Sequence, residues 1–305
     1  MASSDAEGKS NMKLVRYSVG ESEWYGVLIN NKVICLPKLE KNKLPAKLEE
    51  FIALGIDGIK TAERLIENAS EDAVKGVSLP VDRVKILAPI KFPSKIICLG
   101  LNYVDHAAEQ NAPLPDEPII FFKPRTAILG PNENIVKPSF VKQLDYEAEL
   151  AIVIGKKAKN VKVSEAKTYI FGYTIMNDVS ARDIQFKDKQ WTRGKSFDTF
   201  APIGPCITTA NQIEDTSNLA IRTWVNNELR QNSTTKNMVF KLEEIIYHLS
   251  RVMTLEPCDI IATGTPAGVG FAMKPQPKFL QDGDVIRIEI EKVGLLENRV
   301  IEEDK

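Results

Sequence analysis

Glu147 and Glu149 stand two residues apart in Asp145-Tyr-Glu-Ala-Glu-Leu-Ala-Ile-Val-Ile154, an apolar, β-branched run that otherwise reads as a buried strand. Side chains at i and i+2 of a strand share a face. The spacing therefore predicts Asp145, Glu147 and Glu149 projecting together, with Ala148, Leu150, Ile152 and Ile154 on the opposite, core-facing side. Like charges this close, partly desolvated, raise one another's pKa values unless a cation sits among them. The row is read as half of a metal site, against the plainer reading of a solvated acidic edge strand. Two histidines, His106 and His248, and four scattered cysteines with no C-x-x-C spacing are too few nitrogen and sulfur donors for a usual zinc site. Carboxylate oxygens suit a hard cation, and no EF-hand spacing of Asp and Asn around a glycine is present, which leaves Mg²⁺ or Mn²⁺.

A second group of residues offers acid–base chemistry. His106 lies in Gly100-Leu-Asn-Tyr-Val-Asp-His-Ala-Ala-Glu-Gln110, where Asn102 is placed to cap a short helix and Glu109 follows His106 by three positions on the same face. A carboxylate beside an imidazole fixes its tautomer and supports its cationic form, as a general base that activates water requires. Surface H-x-x-E pairs are common, so the spacing alone does not make a dyad. The helix, about two turns long, is marginal by itself and suits a lid over bound ligand. A further acid, Asp178, ends an apolar strand, with Arg182 and Gln185 just after it and Lys195 in Trp191-Thr-Arg-Gly-Lys-Ser-Phe-Asp198. These polar groups suit a substrate carboxylate or an enolate, although singly each cation reads as a solvated surface residue. Thr263-Gly-Thr-Pro-Ala-Gly-Val-Gly270 lacks the Gly-Lys-Ser/Thr ending of a phosphate loop and reads as a backbone-lined substrate loop.

The elements that must position these groups are mostly strands. Runs at 95–99, 119–122, 150–154, 171–176, 220–225, 259–262 and 285–290 fit strands. The clearest helix spans Lys241 to Met253, with Leu242, Ile245, Ile246, Leu249, Val252 and Met253 as its apolar stripe and His248 beside it as a structural residue. Strands outnumber helices too heavily for a doubly wound sheet, and the class is α+β, predominantly β. Residues 1–11 read as a disordered tail and residues 12–89 as a small N-terminal α+β accessory domain, with two strands and a helix from about 45 to 68 carrying Leu48, Phe51, Ile52, Ile56 and Ile59. A proline-marked junction then leads into a catalytic domain over 90–305. Formal net charge of −1 and a pI of about 6.3 give no basic excess for nucleic acid or an anionic membrane surface. The absence of a long apolar run, of a signal-peptide core and of clustered cysteines predicts a cytoplasmic protein with free thiols.

Taken as a set and in this order, Gly100-Leu-Asn-Tyr-Val-Asp-His106, Asp145-Tyr-Glu-Ala-Glu-Leu150, Gly172-Tyr-Thr-Ile-Met-Asn-Asp178, Ser180-Ala-Arg-Asp183, Lys195-Ser-Phe197 and the 263–270 loop resemble the fumarylacetoacetate hydrolase family over about residues 90–300. The resemblance implies a mixed-β roll, commonly a homodimer, with Mg²⁺ or Mn²⁺ held by Glu147, Glu149 and Asp178. It matches His106 and Glu109 to a lid dyad, Lys195, Arg182 and Gln185 to polar residues on the substrate side, and Thr265 to the threonine of a substrate loop. It further implies a small 2-oxo or 2,4-diketo acid as substrate. The favoured expectation is carbon–carbon bond hydrolysis of an acylpyruvate. Oxaloacetate-type decarboxylation, keto–enol isomerisation, dehydration of a 2-keto-3-deoxy sugar acid and non-catalytic keto-acid binding are the alternatives, since one fold serves several outcomes.

Overall fold

The computed structural model describes residues 12–303, so the expected tail at 1–11 lies outside the described residues. Two sheets carry the molecule. A twelve-stranded mixed sheet runs, along its main path, through Ser78–Pro80, Lys32–Cys35, Ser22–Ile29, Lys13–Val19, Ala201–Thr209, Ile170–Asn177, Ala148–Ile154, Ile260–Ala262, Ile96–Gly100 and Ile119–Lys123. A five-stranded sheet runs through Glu228–Thr234, Ala220–Val225, Val285–Ile290, Gly294–Glu302 and Asn134–Lys137. Most pairings are antiparallel, while Ile260–Ala262 with Ile96–Gly100, Gly294–Glu302 with Asn134–Lys137 and Ala201–Thr209 with Ile128–Leu129 are parallel. The architecture is a sheet-dominated α+β fold.

Alternation along Ala148–Ile154 explains how the layers close. Leu150, Ile152 and Ile154 join a core with Ile221, Ile288 and Leu296 of the five-stranded sheet and with Leu242, Ile245, Ile246 and Leu249 of the helix Leu242–Val252. Ala151 and Val153, on the other face, join a second core with Phe51, Ile52 and Ile59 from the N-terminal segment. Every residue of the strand is buried, so it is covered on both faces and is not an edge. Strands of the first 89 residues extend the same sheet, because Lys13 and Leu14 pair with Thr208 and Ile207. The helix expected over 45–68 is two helices, Leu48–Ala53 and Gly55–Asn68. Gly55 takes φ +58°, a left-handed conformation open to glycine, and the resulting break turns Ile56 out to 50% exposure.

Register places the site. Glu149 pairs with Met176, Ala151 with Ala262, and Ile260–Ala262 runs parallel to Ile96–Gly100. The start of Ala148–Ile154 thereby meets the ends of three other strands, and the chains leaving those ends carry Asp178, the 263–270 loop and the helix Val104–Glu109. Among the described residues no helix is long and apolar enough to cross a membrane. All four cysteines are free and buried.

Candidate active site

The carboxylates converge through backbone pairing. Asp178 N donates to Glu147 O at 2.9 Å and Glu147 N donates to Asn177 Oδ1 at 3.0 Å, which locks the start of one strand to the end of its neighbour. Glu147, Glu149 and Asp178, all buried, then bring one oxygen each to within 4.8 Å of one another. Asp145 departs from the expected row. It sits in a separate two-residue strand, Leu144–Asp145, and the chain breaks regular pairing at Tyr146 and Glu147, so the alternation does not carry through. Its carboxylate accepts from the backbone N–H groups of Tyr146, Gly270 and Phe271 and from Arg182 Nε at 2.9 Å.

Three cations face these acids. Lys195 Nζ lies 2.6 Å from Glu147 Oε2 and 2.8 Å from Asp178 Oδ2. Arg182 donates from Nη1 to Gln185 Oε1 at 2.9 Å, and its Nη2 is 2.7 Å from Glu147 Oε1, an ion pair without hydrogen-bond alignment. Lys123, which the sequence reading did not single out, donates to Asp178 Oδ1 and, at 3.0 Å, to Val179 O. It follows an exposed and apolar strand pattern and lies 55 residues from its partner, so only its Lys-Pro position after Phe122 offered a signal. The helices Arg182–Gln185 and Thr192–Lys195 touch at Gly194, where a Cβ would lie 2.7 Å from Gln185 N. That glycine serves close packing.

The charges do not balance. Asp145, Glu147, Glu149 and Asp178 are four buried carboxylates against the three buried cations Lys123, Arg182 and Lys195. Burial pushes the Glu147 carboxyl up, but Lys195 and Arg182 outweigh it and hold the group below the ordinary carboxylate range. Glu149 has no cationic contact, and burial, followed by the neighbouring Asp178 and Glu147 charges, pushes it well above that range. Its Oε2 accepts from Gly264 N at 2.8 Å, while its Oε1 is buried with no partner. An orphaned carboxylate oxygen beside two other carboxylates, with only oxygen donors around it, fits a hard divalent cation. Burial pushes Lys195 down, yet Asp178 and Glu147 prevail and keep its ammonium firmly protonated.

The dyad is assembled. His106, 6% exposed, lies with Nδ1 2.6 Å from Glu109 Oε1, and Glu109 Oε2 accepts from Gly268 N at 2.8 Å. Glu109 thus ties the short helix Val104–Glu109 onto the glycine-rich loop. The expected Asn102 cap is replaced by a different contact. Tyr103 precedes the helix, and Asn102, fully buried, donates to Thr263 O and Phe240 O and accepts from Phe240 N. The loop also differs from a backbone-lined substrate cradle. Its Gly264, Gly268 and Gly270 N–H groups go to Glu149, Glu109 and Asp145, and Gly264 does so at φ +90°. Thr265 Oγ1 accepts from Gln231 Nε2 at 2.8 Å, leaving its proton to donate elsewhere. His248 stands apart, packed edge-on against Phe240 and Tyr247.

His106, Glu147, Arg182, Gln185, Lys195 and Thr265 line one narrow cavity of about 70 Å³, with Gln110, Phe121, Phe186 and Trp191 also in its walls. Asp145 supports it from behind. Asp145→Ala would strand the buried Arg182 charge and three N–H groups, and breaking a buried pair from one side costs about 3–5 kcal/mol. Urea denaturation should show a loss of that order, and a loss below about 1 kcal/mol would mean that Arg182 is held by its other partners.

Residues 95–301 match the family model described as Fumarylacetoacetate (FAA) hydrolase C-terminal. The chain is 47% identical over 260 residues to the mitochondrial oxaloacetate tautomerase of Xenopus laevis, covering 85% of this chain and 79% of that protein. Among solved structures, the fumarylacetoacetate hydrolase of psychrophilic Exiguobacterium antarcticum superposes with a TM-score of 0.83 at 38% identity, covering 96% of this chain and 100% of that one. The maleylpyruvate hydrolase of Sphingobium sp. SYK-6, in complex with manganese (II) ion and pyruvate, superposes with a TM-score of 0.77 at 32% identity and the same coverage. With the family model spanning two thirds of its length and these relatives extending the likeness across most of the rest, the chain belongs to the fumarylacetoacetate hydrolase family.

Proposed function

We propose that this chain is a divalent-metal-dependent keto–enol tautomerase acting on a small 2-oxo dicarboxylic acid of the oxaloacetate type. One observation carries the reading: both ring nitrogens of His106 are engaged, Nδ1 by Glu109 and Nε2 by Gln110, so the cavity has charge to stabilise an enolate but no free base to make hydroxide. The Xenopus laevis relative named oxaloacetate tautomerase supports the reaction, and the manganese and pyruvate in the maleylpyruvate hydrolase complex support the class of metal and acid. A Mg²⁺ or Mn²⁺ ion held by Glu147, Glu149 and Asp178 would supply Lewis-acid stabilisation of the enolate charge.

The chain's own residues do the rest. Arg182 Nη2, a buried donor with no aligned acceptor, and Gln185 beside it receive a substrate carboxylate. Thr265 donates its free hydroxyl proton to the other end. Lys195 places a fixed positive charge where the enolate develops, and a preorganised charge in a dry cavity is worth more than one in water. Phe121, Trp191 and Phe186 exclude solvent. Four buried thiols are compatible with the reducing cytoplasm and equally with the compartment named for the mitochondrial relative. The test is conversion of enol-oxaloacetate to its keto form by purified protein with Mg²⁺ or Mn²⁺, with products identified against acylpyruvates and 2-keto-3-deoxy acids. Efficient cleavage of acetylpyruvate without any acceleration of ketonisation would sink the proposal.

Acylpyruvate hydrolysis is the second reading, favoured by the 2.6 Å His106–Glu109 contact. His106→Ala separates the two. Loss of a general base costs about 10²–10⁴ in rate, so acetylpyruvate hydrolysis should fall by that factor while ketonisation, which needs no attacking water, falls far less. Equal losses in metal-replete protein would implicate closure of the short helix instead.

A further inference from the structure

Gln110 follows Glu109 directly and stands four residues beyond His106, at the C-terminal end of the helix Val104–Glu109. Its amide nitrogen is 2.7 Å from His106 Nε2 and 3.3 Å from the His106 carbonyl oxygen. A backbone carbonyl only accepts, so the amide turns its NH₂ toward both groups and His106 Nε2 must be the acceptor. The ring proton then sits on Nδ1, where Glu109 Oε1 takes it at 2.6 Å. The lone pair that a general base would offer to water is therefore filled by a side chain. Gln110 also lines the cavity, so the amide occupies the position from which a water would approach Nε2.

We propose that Gln110 determines the reaction outcome by withholding His106 Nε2 from water. The inference rests on the tautomerase reading above and names the residue behind it. In hydrolysis of a 2,4-dioxo acid, water gives a proton to Nε2 and its oxygen bonds to the C4 carbonyl carbon. The C3–C4 bond then breaks with its electron pair on C3, and the proton held by Nε2 passes to C3, yielding a carboxylic acid and a 2-oxo acid. Tautomerisation removes the enol O–H proton and adds one at C3, with no water consumed. Only the first route needs Nε2 open. With Gln110 in place, the enolate is reprotonated; with Gln110 absent, the dyad His106–Glu109 is complete and accessible.

The test compares wild type with Gln110→Ala, both loaded with Mn²⁺, on acetylpyruvate cleavage and oxaloacetate ketonisation measured side by side. The ratio of hydrolysis to ketonisation should rise about tenfold or more, part of the 10²–10⁴ that a general base supplies. An unchanged or falling ratio overturns the proposal. Nitrogen-15 spectra, recorded with diamagnetic Mg²⁺ in place of Mn²⁺, give a readout independent of turnover, since the chain has only two histidines to distinguish. In wild type the His106 ring should carry its proton on Nδ1, with an Nε2 resonance typical of a hydrogen-bonded acceptor that moves in Gln110→Ala. A proton on Nε2, or a resonance indifferent to the substitution, shows that Gln110 merely ends the helix. Absence of ketonisation by the wild type would instead remove the tautomerase reading, while the spectra would still decide whether Gln110 occupies His106.

Discussion

Glu149→Gln is expected to lose divalent-metal affinity by more than about a hundredfold, because even the outer partners of metal ligands are worth about 10–100-fold. The substitution leaves the fold in place, since a glutamine oxygen can still accept from Gly264 N. Glu147 and Asp178 already have Lys195, Arg182 and Lys123 as partners, so among the described residues Glu149 is the one acid of the three with no cation in direct contact. Its carboxyl is held above the ordinary value in the folded protein without a cation. The sign follows from linkage. The destabilisation is absent below the unfolded carboxyl value of about 4.3, grows as pH rises from there to the raised folded value and is complete above it, so metal-free wild type should lose stability over that window. Glu149→Gln should abolish that slope and gain no thermal shift from added Mn²⁺. In wild type, metal uptake should displace the Glu149 proton, and affinity should rise with pH until the group is ionised. Unchanged Mg²⁺ or Mn²⁺ affinity by calorimetry in the variant would sink the ligand assignment.

Lys195→Met should lower turnover on oxaloacetate by about 10²–10³, the usual loss when one preorganised electrostatic group is removed from an active site. The same change should leave Mn²⁺ affinity unaltered or tighter, because Glu147 and Asp178 give up a competing cation. The two signs together separate a substrate-side role from a ligand-positioning one. Wild-type kinetics in the metal-replete variant would return Lys195 to an ordinary buried ion pair, and reduced metal content would mean that it orders the carboxylates. Methionine keeps most of the buried aliphatic stem and gives up only the ammonium that lies over the Phe121 ring, so a folding defect is not the expected outcome.

Local periodicity carried much of this protein. The strands Ala220–Val225 and Val285–Ile290 and the helix Leu242–Val252 follow the patterns of their apolar residues, because alternation and the 3.6-residue repeat report directly which side chains share a face. The same rule puts Leu150, Ile152 and Ile154 in one core and aims Glu149 away from it. His106 and Glu109 meet for the equally local reason that i and i+3 adjoin on a helix.

What the tertiary structure decided is every relation that depends on register or on a break in it. Interruption of pairing at Tyr146 and Glu147 takes Asp145 out of the carboxylate row and hands it to Arg182 and the glycine loop, and Gly55 splits a helix that periodicity ran straight through. Lys123 reaches Asp178 across 55 residues, and the loop amides serve acids up to 159 residues away. Gln110 shares a helical face with His106 by spacing alone, but whether its amide faces the ring or solvent depends on the cavity around it. Residue types and short-range spacing determine what chemistry a segment can offer. Which partners saturate those groups, and which oxygen is left for a cation, is set by strand register and burial that no local pattern encodes.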